Sequence, residues 1–373
     1  MARVTLRQGH PLERHGEIRA QLSSLIRSGA KPPGSRLPTR LELATQFQTT
    51  PVTIQKALNR LMADGFVKAR GRSGTFVVDR PPHLYRFGIV ITASRATGFL
   101  GAIVEQAARL AQLHHWDFPV YSSVDGSGNA EDYRRMLVDL QSHRLAGLIF
   151  TQPPEWFLHQ PLFADPALPR VALVDHSLPG VGSVRLDNPQ WMAKALDYLQ
   201  AQGRQRVGVV ATPNQSSAFV ELVTRGAAAR QLTMPPAWIQ ALDYRNPYWA
   251  AHVVAGLLNG PAAVRPDALI IADDHLVESV TTALLKHGGA GAADLPIVAH
   301  CNYPKLPAAA LPVTWLGYDV RQVLQLAVEY IQQSLEGLSP APIRMVPAQF
   351  AAELNESGRR RPAAGPAAEG WSS

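Results

Sequence analysis

The chain has 373 residues, of which 46% are hydrophobic, a net charge of +7 and one cysteine. That length suits two to three domains with ample material for a buried core, and the lone Cys301 excludes an intramolecular disulfide or a cysteine-based zinc site. The N-terminus lacks the apolar core of a signal peptide and no apolar run reaches about 18 residues, so a cytoplasmic chain with no membrane partner is expected.

The charge is unevenly placed. Residues 1–80 hold 14 Lys+Arg against 5 Asp+Glu, which leaves 22 basic and 24 acidic residues for the rest. Positive charge gathered in one short segment is what a phosphate-facing module needs.

In chain order, residues 1–10 read as a loose basic arm, and Pro11 to Ser28 as a first helix with Ile18, Leu22, Leu25 and Ile26 inward and Gly29 as its stop. Thr39 to Phe47 repeats apolar residues at helical spacing. After a turn at Gln48-Thr49, Thr50 is placed as an N-cap and Pro51 at the first helical position, where a missing N–H costs nothing. Ile54, Ala57, Leu58, Leu61 and Met62 then form one buried helical face, with Thr53, Gln55, Lys56, Asn59 and Arg60 on or beside the other. Phe66 to Ala69 and Thr75 to Val78 are short β-type runs around an Arg70–Gly74 hairpin tip rich in arginine and glycine. Helix, turn, helix and basic ribbon make a winged helix–turn–helix, in which one helix enters the major groove and the wing follows backbone or minor groove.

The segment resembles the DNA-binding head of the GntR family of bacterial regulators. The matching residues are Pro33-Gly34-Ser35-Arg36-Leu37-Pro38, Glu42-Leu43-Ala44, Thr53-Ile54 with Ala57-Leu58, Asp64-Gly65-Phe66 and Gly71-Arg72-Ser73-Gly74-Thr75-Phe76-Val77, within a run of about 65 residues. The reading face departs from that pattern: Leu41, Pro51 and Gln55 stand where the family usually carries arginine. The candidate DNA contacts are Arg36, Thr39, Arg40, Thr50, Thr53, Gln55, Lys56, Arg70, Arg72, Ser73 and Gly74. The helix residues among them are placed to meet base edges and the wing arginines to meet phosphate.

Asp79 to Tyr85, with Pro81-Pro82 in its middle, reads as a short stiff linker between residues 1–78 and a body of residues 86–356. In the body, short apolar runs at 87–91, 118–121, 145–150, 171–174, 207–211, 268–271 and 296–299 alternate with helical patterns near 98–115, 129–143, 189–203, 216–230, 247–259, 275–288 and 319–337. Such alternation means buried parallel strands in βαβ units, and the amount of it calls for two α/β lobes. Residues 357–373, with Arg359-Arg360-Arg361 followed by Pro, Ala and Gly, have the composition of a disordered tail.

This body resembles the LacI/GalR-type effector domain, which shares its fold with periplasmic sugar-binding proteins. The likeness is carried by Phe87-Gly88-Ile89-Val90, Gly147-Leu148-Ile149, Val184 through Asp187-Asn188, Gly203 through Val209, Pro266-Asp267-Ala268-Leu269 with Asp273-Asp274, and Leu295-Pro296-Ile297-Val298. The resemblance implies two lobes joined by crossover strands, a cleft that closes on a small ligand, and a homodimer. The fold class is therefore α/β: a small winged helix–turn–helix domain followed by a two-lobed, periplasmic-binding-protein-like domain.

Ligands in such folds sit at the carboxyl ends of strands. That rule and the resemblance give Phe99, Asp175, Asp187, Arg225, Tyr244, Asp273, Asp274, His275, His300 and Asn302 as effector candidates, with a sugar as the expected ligand. Of the adjacent pair, Asp274 is expected to cap the following helix and Asp273 to face the ligand. Two family positions differ here: Val223 stands where arginine is usual, and His300-Cys301-Asn302 where an aspartate follows the strand.

Enzyme signals have blander readings. His300-Cys301 resembles a base beside a thiol, but neighbours along a strand point to opposite sides and a lone cysteine is ordinary packing. His83 and His114-His115 fit no metal-ligand spacing, and Gly288 to Gly291 follows a helix instead of opening one. No metal or cofactor and no catalytic residue is expected. The reading is a ligand-responsive transcriptional repressor that binds operator DNA as a dimer. The alternative is an aminotransferase-like, pyridoxal-phosphate-dependent regulator, for which the body offers only Lys194, Lys286 and Lys305.

Overall fold

The computed structural model describes residues 11–93, 96–124, 130–155, 167–173, 178–213, 217–287 and 294–354. The effector candidate Asp175, the glycine run at 288–291 and the arginine run at 359–361 lie outside them. The chain divides into two compact units, residues 1–96, 104–184 and 325–343 in the first, and 97–103, 185–324 and 344–373 in the second.

The first unit begins with α1 (Pro11–Arg27), α2 (Arg40–Gln46), α3 (Pro51–Ala63) and an antiparallel ribbon of β1 (Val67–Ala69) and β2 (Thr75–Val77). Ile18, Leu22 and Ile26 of α1, Leu43 and Phe47, Ile54, Leu58 and Leu61 of α3, and Phe66 and Val77 interlock as its core. The spacing of those residues gives each helix one inward face, and Gly65, at φ +81°, supplies the left-handed turn from α3 into the ribbon. Pro82-His83-Leu84 then forms a single 3-10 turn with Pro82 and His83 buried.

A parallel sheet follows, with spatial order β13 (Ile343–Val346), β7 (Gly182–Leu186), β6 (Arg170–Ala172), β5 (Gly147–Phe150), β3 (Phe87–Val90) and β4 (Val120–Tyr121). From β4 through β3, β5 and β6 to β7 the neighbouring strands run parallel. α4 (Gly98–His114) and α5 (Glu131–Gln141) are its crossovers. β3 and β5 are buried along their whole length, the mark of strands covered on both faces.

The second unit repeats the design. Its sheet runs β14 (Gln349–Phe350), β12 (Thr314–Asp319), β11 (Ile297–Tyr303), β10 (Ala268–Ile271), β8 (Val207–Ala211) and β9 (Ile239–Ala241), parallel except for β14 against β12. α6 (Asn188–Ala201), α7 (Ser217–Ala229), α8 (Ala250–Leu258), α9 (Val277–His287) and α10 (Val320–Leu335) accompany it. By residue membership the chain passes between the units within α4, β7, α10 and β13.

Two expectations change. The apolar run at 296–299 is a longer strand that continues through Tyr303, so His300, Cys301 and Asn302 lie in β11 instead of after it. β7, β9, β12, β13 and β14 were not expected as strands: their mixed or exposed residues lack the continuous apolar runs that reveal covered strands. Trp191, Trp238 and Trp315 pack as core. Trp191 is buried with its indole N–H donating to the Leu316 carbonyl at 2.8 Å, and the other two lie against the apolar cluster of the second unit.

His83 gives the first unit a pH response. Its ring stacks on Phe66 at 5.6 Å, only 6% of the residue is exposed, and Nδ1 has no partner among the described residues. Burial first, and then the Arg27 guanidinium, push its pKa down to about 4. The unfolded chain takes up this proton near pH 6.5 and the folded chain only near 4, so stability is complete above about 6.5 and falls as pH drops toward 4. The loss should reach about 3 kcal/mol for this group. Urea unfolding between pH 7 and 4 should show it, and His83→Phe should remove that part of the slope; an unchanged slope would place the response elsewhere.

Candidate nucleic-acid interface and ligand pocket

The head presents its polar side chains through two capped helices. Thr39 caps α2 in a reciprocal box, its Oγ1 accepting from the Glu42 amide at 3.3 Å while the Thr39 amide donates to Glu42 Oε2 at 2.7 Å. Thr50 caps α3 one-sidedly, its hydroxyl accepting from the Thr53 amide at 3.2 Å, and the two hydroxyls meet at 2.9 Å. Of the expected contacts, Thr39, Thr50 and Thr53 thus first hold the helix starts.

A chain of side chains links the helices. Arg40 Nη1 donates to Gln55 Oε1 at 2.9 Å, and Gln55 Nε2 donates to Asn59 Oδ1 at 2.7 Å. Both ends of the Gln55 amide are therefore occupied, and reading a base with it requires giving up these bonds. Asn59, absent from the expected contacts, belongs to this network. Its place one turn after Gln55 was the signal. Lys56 is exposed on the same helix.

The wing adds a basic edge. Arg70 stacks over Phe76 at 4.7 Å, Arg72 and Ser73 form an exposed turn, and Arg36 pairs its backbone with Phe76. Gly74 sits at φ +110°, and a Cβ there would come within 3.0 Å of Arg36 Nε, so glycine lets that guanidinium lie against the wing.

In the second unit a cavity of about 280 Å³ opens beside the ends of β10 and β11, walled by Gly98, Asp274, His275, Glu278, Asn302 and Lys305 among others. This lies just below the ~300–1,000 Å³ of pockets for drug-sized ligands, so it suits a smaller molecule. Asp274 Oδ2 accepts from Asn302 Nδ2 at 2.9 Å, while Oδ1 lies 3.1 Å from His275 Nδ1. Asn302 is 2% exposed and its Oδ1 has no donor among the described residues. Gly98, at φ +51°, allows the His275 ring to approach: a Cβ would meet its Cε1 at 2.3 Å. Tyr244 lies over the same ring at 4.8 Å.

The adjacent aspartates exchange the roles expected from sequence. Asp273 is the cap, accepting from the His275 amide at 2.9 Å and facing its Nδ1 at 3.0 Å, whereas Asp274 lines the cavity. The reason is a 3-10 turn over Asp274–Leu276 that moves the cap one residue earlier. Hydrogen bonds from Asp273 and then Asp274 push the His275 pKa up to about 10. For Asp274, burial opposes ionisation, but the His275 hydrogen bond and the neighbouring histidines and Asn302 hold its carboxyl below the usual carboxylate range. Ligand atoms of Asp273, Asp274 and His275 lie within 4.8 Å of one another.

The remaining candidates disperse. Asp187 caps α6 by accepting from the Gln190 amide at 3.0 Å. Arg225 is exposed on α7, paired with Glu221 one turn away, and lines a groove with residues of α6 and α7 instead of this cavity. The His300 ring lies between Trp191 and Tyr318, each at 5.7 Å, and burial lowers its pKa. Phe99 is half-buried in the first turn of α4. Burial pushes the Cys301 thiol up to about 12, far from a nucleophile's range.

Residues 14–77 match the family described as bacterial regulatory proteins, gntR family. The HTH-type transcriptional regulator Rv1152 of Mycobacterium tuberculosis is 40% identical over 75 residues, 20% of this chain and 60% of that protein. The HTH-type transcriptional regulator PtxS of Pseudomonas putida is 28% identical over 302 residues, 76% of this chain and 83% of that protein. The chain thus spans under two thirds of the first relative and more of the second. Among solved structures, a LacI family transcriptional regulator from Lactobacillus casei with bound glucose superposes with a TM-score of 0.53 at 22% identity, covering 71% of this chain and 97% of that one.

Proposed function

We propose, for a chain whose head is a GntR-family DNA-binding domain and whose remainder has the LacI-regulator fold, that it is a ligand-responsive transcriptional regulator. The head binds operator DNA, the chain works as a homodimer, and a small polyhydroxylated molecule binds at the β10 and β11 strand ends. One observation carries this reading: a basic winged head shares the chain with a small cavity at strand ends whose wall combines apolar residues with Asp274, His275 and Asn302. In that cavity Asn302 Oδ1 is an acceptor awaiting a donor, and the Asp274 carboxylate, already partnered by Asn302 and His275, has lone pairs for a further one; sugar hydroxyls supply such donors. The Lactobacillus casei protein of the same fold, with its bound glucose, supports the ligand class.

Ligand then acts by linkage, since its differential affinity for two states of the body changes the affinity of the heads for DNA by the same factor. Repression relieved by ligand is the arrangement proposed. The aminotransferase-like alternative finds no support in the fold, and Lys194 is held by Glu353 and the Ala348 carbonyl.

A thermal-shift screen of pentoses, hexoses and their phosphates, followed by operator titrations with and without the hit, tests the reading. Failure to prefer any duplex over random competitor DNA would sink it. The exposed wing supplies a sharper check. Arg72→Ala should weaken binding to all sequences alike and flatten the slope of log affinity against log salt by about 1. An unaltered slope would take the wing off the phosphates.

A further inference from the structure

We infer that Leu41 and Val52 read thymine methyl groups in the major groove, making them apolar determinants of operator sequence. The inference rests on the DNA-binding reading and deepens it.

Leu41 is 70% exposed and Val52 65% exposed. Neither is displaced from the core, because Leu43, Ala44 and Phe47 fill the inward face around α2 and Ile54, Ala57, Leu58 and Leu61 that of α3. Single exposed apolar residues are ordinary on protein surfaces. These two bracket a polar network. Leu41 follows Arg40, and Val52 lies one helical turn before Gln55 and Lys56, on the face that also carries Asn59.

The charge around them specifies the occupant. Arg40, Lys56, Arg36 and Arg72 are exposed on the same small domain and favour a polyanion. Within a major groove the one apolar feature at base edges is the C5-methyl group of thymine. The Arg40–Gln55–Asn59 network limits how freely Gln55 can turn to a base. Apolar contact from its neighbours therefore supplies discrimination at A·T pairs that hydrogen bonding from this helix would otherwise have to provide.

The test uses full-length protein and duplexes it selects from a randomised DNA pool. Each thymidine of a selected duplex is replaced in turn by deoxyuridine, which removes the methyl and leaves base pairing unchanged. At least one thymine per half-site should then lose affinity about fourfold, equivalent to about 0.8 kcal/mol for one methyl. In Leu41→Ala or Val52→Ala protein the penalty at the matching thymine should disappear while penalties elsewhere persist. Val52→Thr, close in shape, should keep part of its penalty and guards against a folding artefact. Selected duplexes that bind equally with deoxyuridine, or penalties unchanged in both alanine variants, would overturn this inference alone. A pool that yields no enriched duplex would overturn the DNA-binding reading and this inference with it.

Discussion

Asp274→Ala should sharply reduce ligand-induced stabilisation, weakening effector binding by about 10- to 150-fold, while ligand-free DNA affinity stays within about twofold. Asp274 contributes one carboxylate oxygen to the Asn302 amide and places the other 3.1 Å from His275 Nδ1, at the wall of the cavity. Losing it removes a charged acceptor, worth about 1.5–3 kcal/mol in hydrogen bonding, and also frees two neighbouring side chains to turn away from the ligand. Asp274→Asn keeps the volume and lets the site be tested where the alanine variant is unstable. Asp273→Ala is the contrast. It deletes the cap of a short turn and should cost about 1 kcal/mol of stability, with a smaller effect on ligand affinity. Thermal shift and calorimetry with the hit from the sugar screen separate the two. Equal ligand response in Asp274→Ala and the parent protein would move the effector away from these strand ends.

Gly317→Ala should destabilise the second unit by about 3 kcal/mol, the upper end of what overpacking a core costs. Gly317 pairs with Cys301 in the β11–β12 register. An added Cβ would lie 1.9 Å from the Cys301 carbonyl oxygen and 2.8 Å from its Sγ. Backbone cannot retreat like the end of a flexible side chain, so the two strands must part, and β11 carries Asn302 with it. Urea unfolding should therefore show one early transition while the head melts as before. Gly16→Ala in α1, with nothing within 4 Å of the new atom, should be neutral to stabilising by about 0.5–1 kcal/mol. A Gly317→Ala transition superimposed on that of the parent would refute the steric account.

The head was legible almost residue by residue, because its code is local. The Thr50-Pro51 start, the 3.6-residue apolar repeat of α3 and the Asp64-Gly65 stop each act within one or two turns. The covered strands of the body were legible for the same reason: β3, β5, β8 and β10 are unbroken apolar runs. Strands such as β13, with Ile343 and Met345 exposed, carry no such pattern and exist because a neighbour offers hydrogen bonds. The ligand pocket was only partly readable. Asp273, Asp274, His275 and Asn302 could be placed at strand ends, but which aspartate turns inward depends on a one-residue difference in the following turn. The Gln55 expectation failed to anticipate Arg40 as its partner, since that bond joins side chains 15 residues apart across two helices.

The junction between the head and the first sheet has a kinetic meaning. Arg19 of α1 bonds Asp64 at 3.1 Å, Ser142 Oγ at 3.2 Å and the Gln141 carbonyl at 3.0 Å, and Arg80 reaches the His115 carbonyl at 2.6 Å. The Arg19–Asp64 pair lies within the head; the other contacts are partly exposed, of the kind worth about 0–1 kcal/mol. With only Asp79 to Arg86 between the tethered parts, their effective concentration is in the millimolar range, so such weak contacts suffice to dock the head. The buried Pro82 and His83, whose ring stacks on Phe66, add to them. Re-docking after any release is then an intramolecular step, so the junction sets the resting orientation of α3 at any protein concentration.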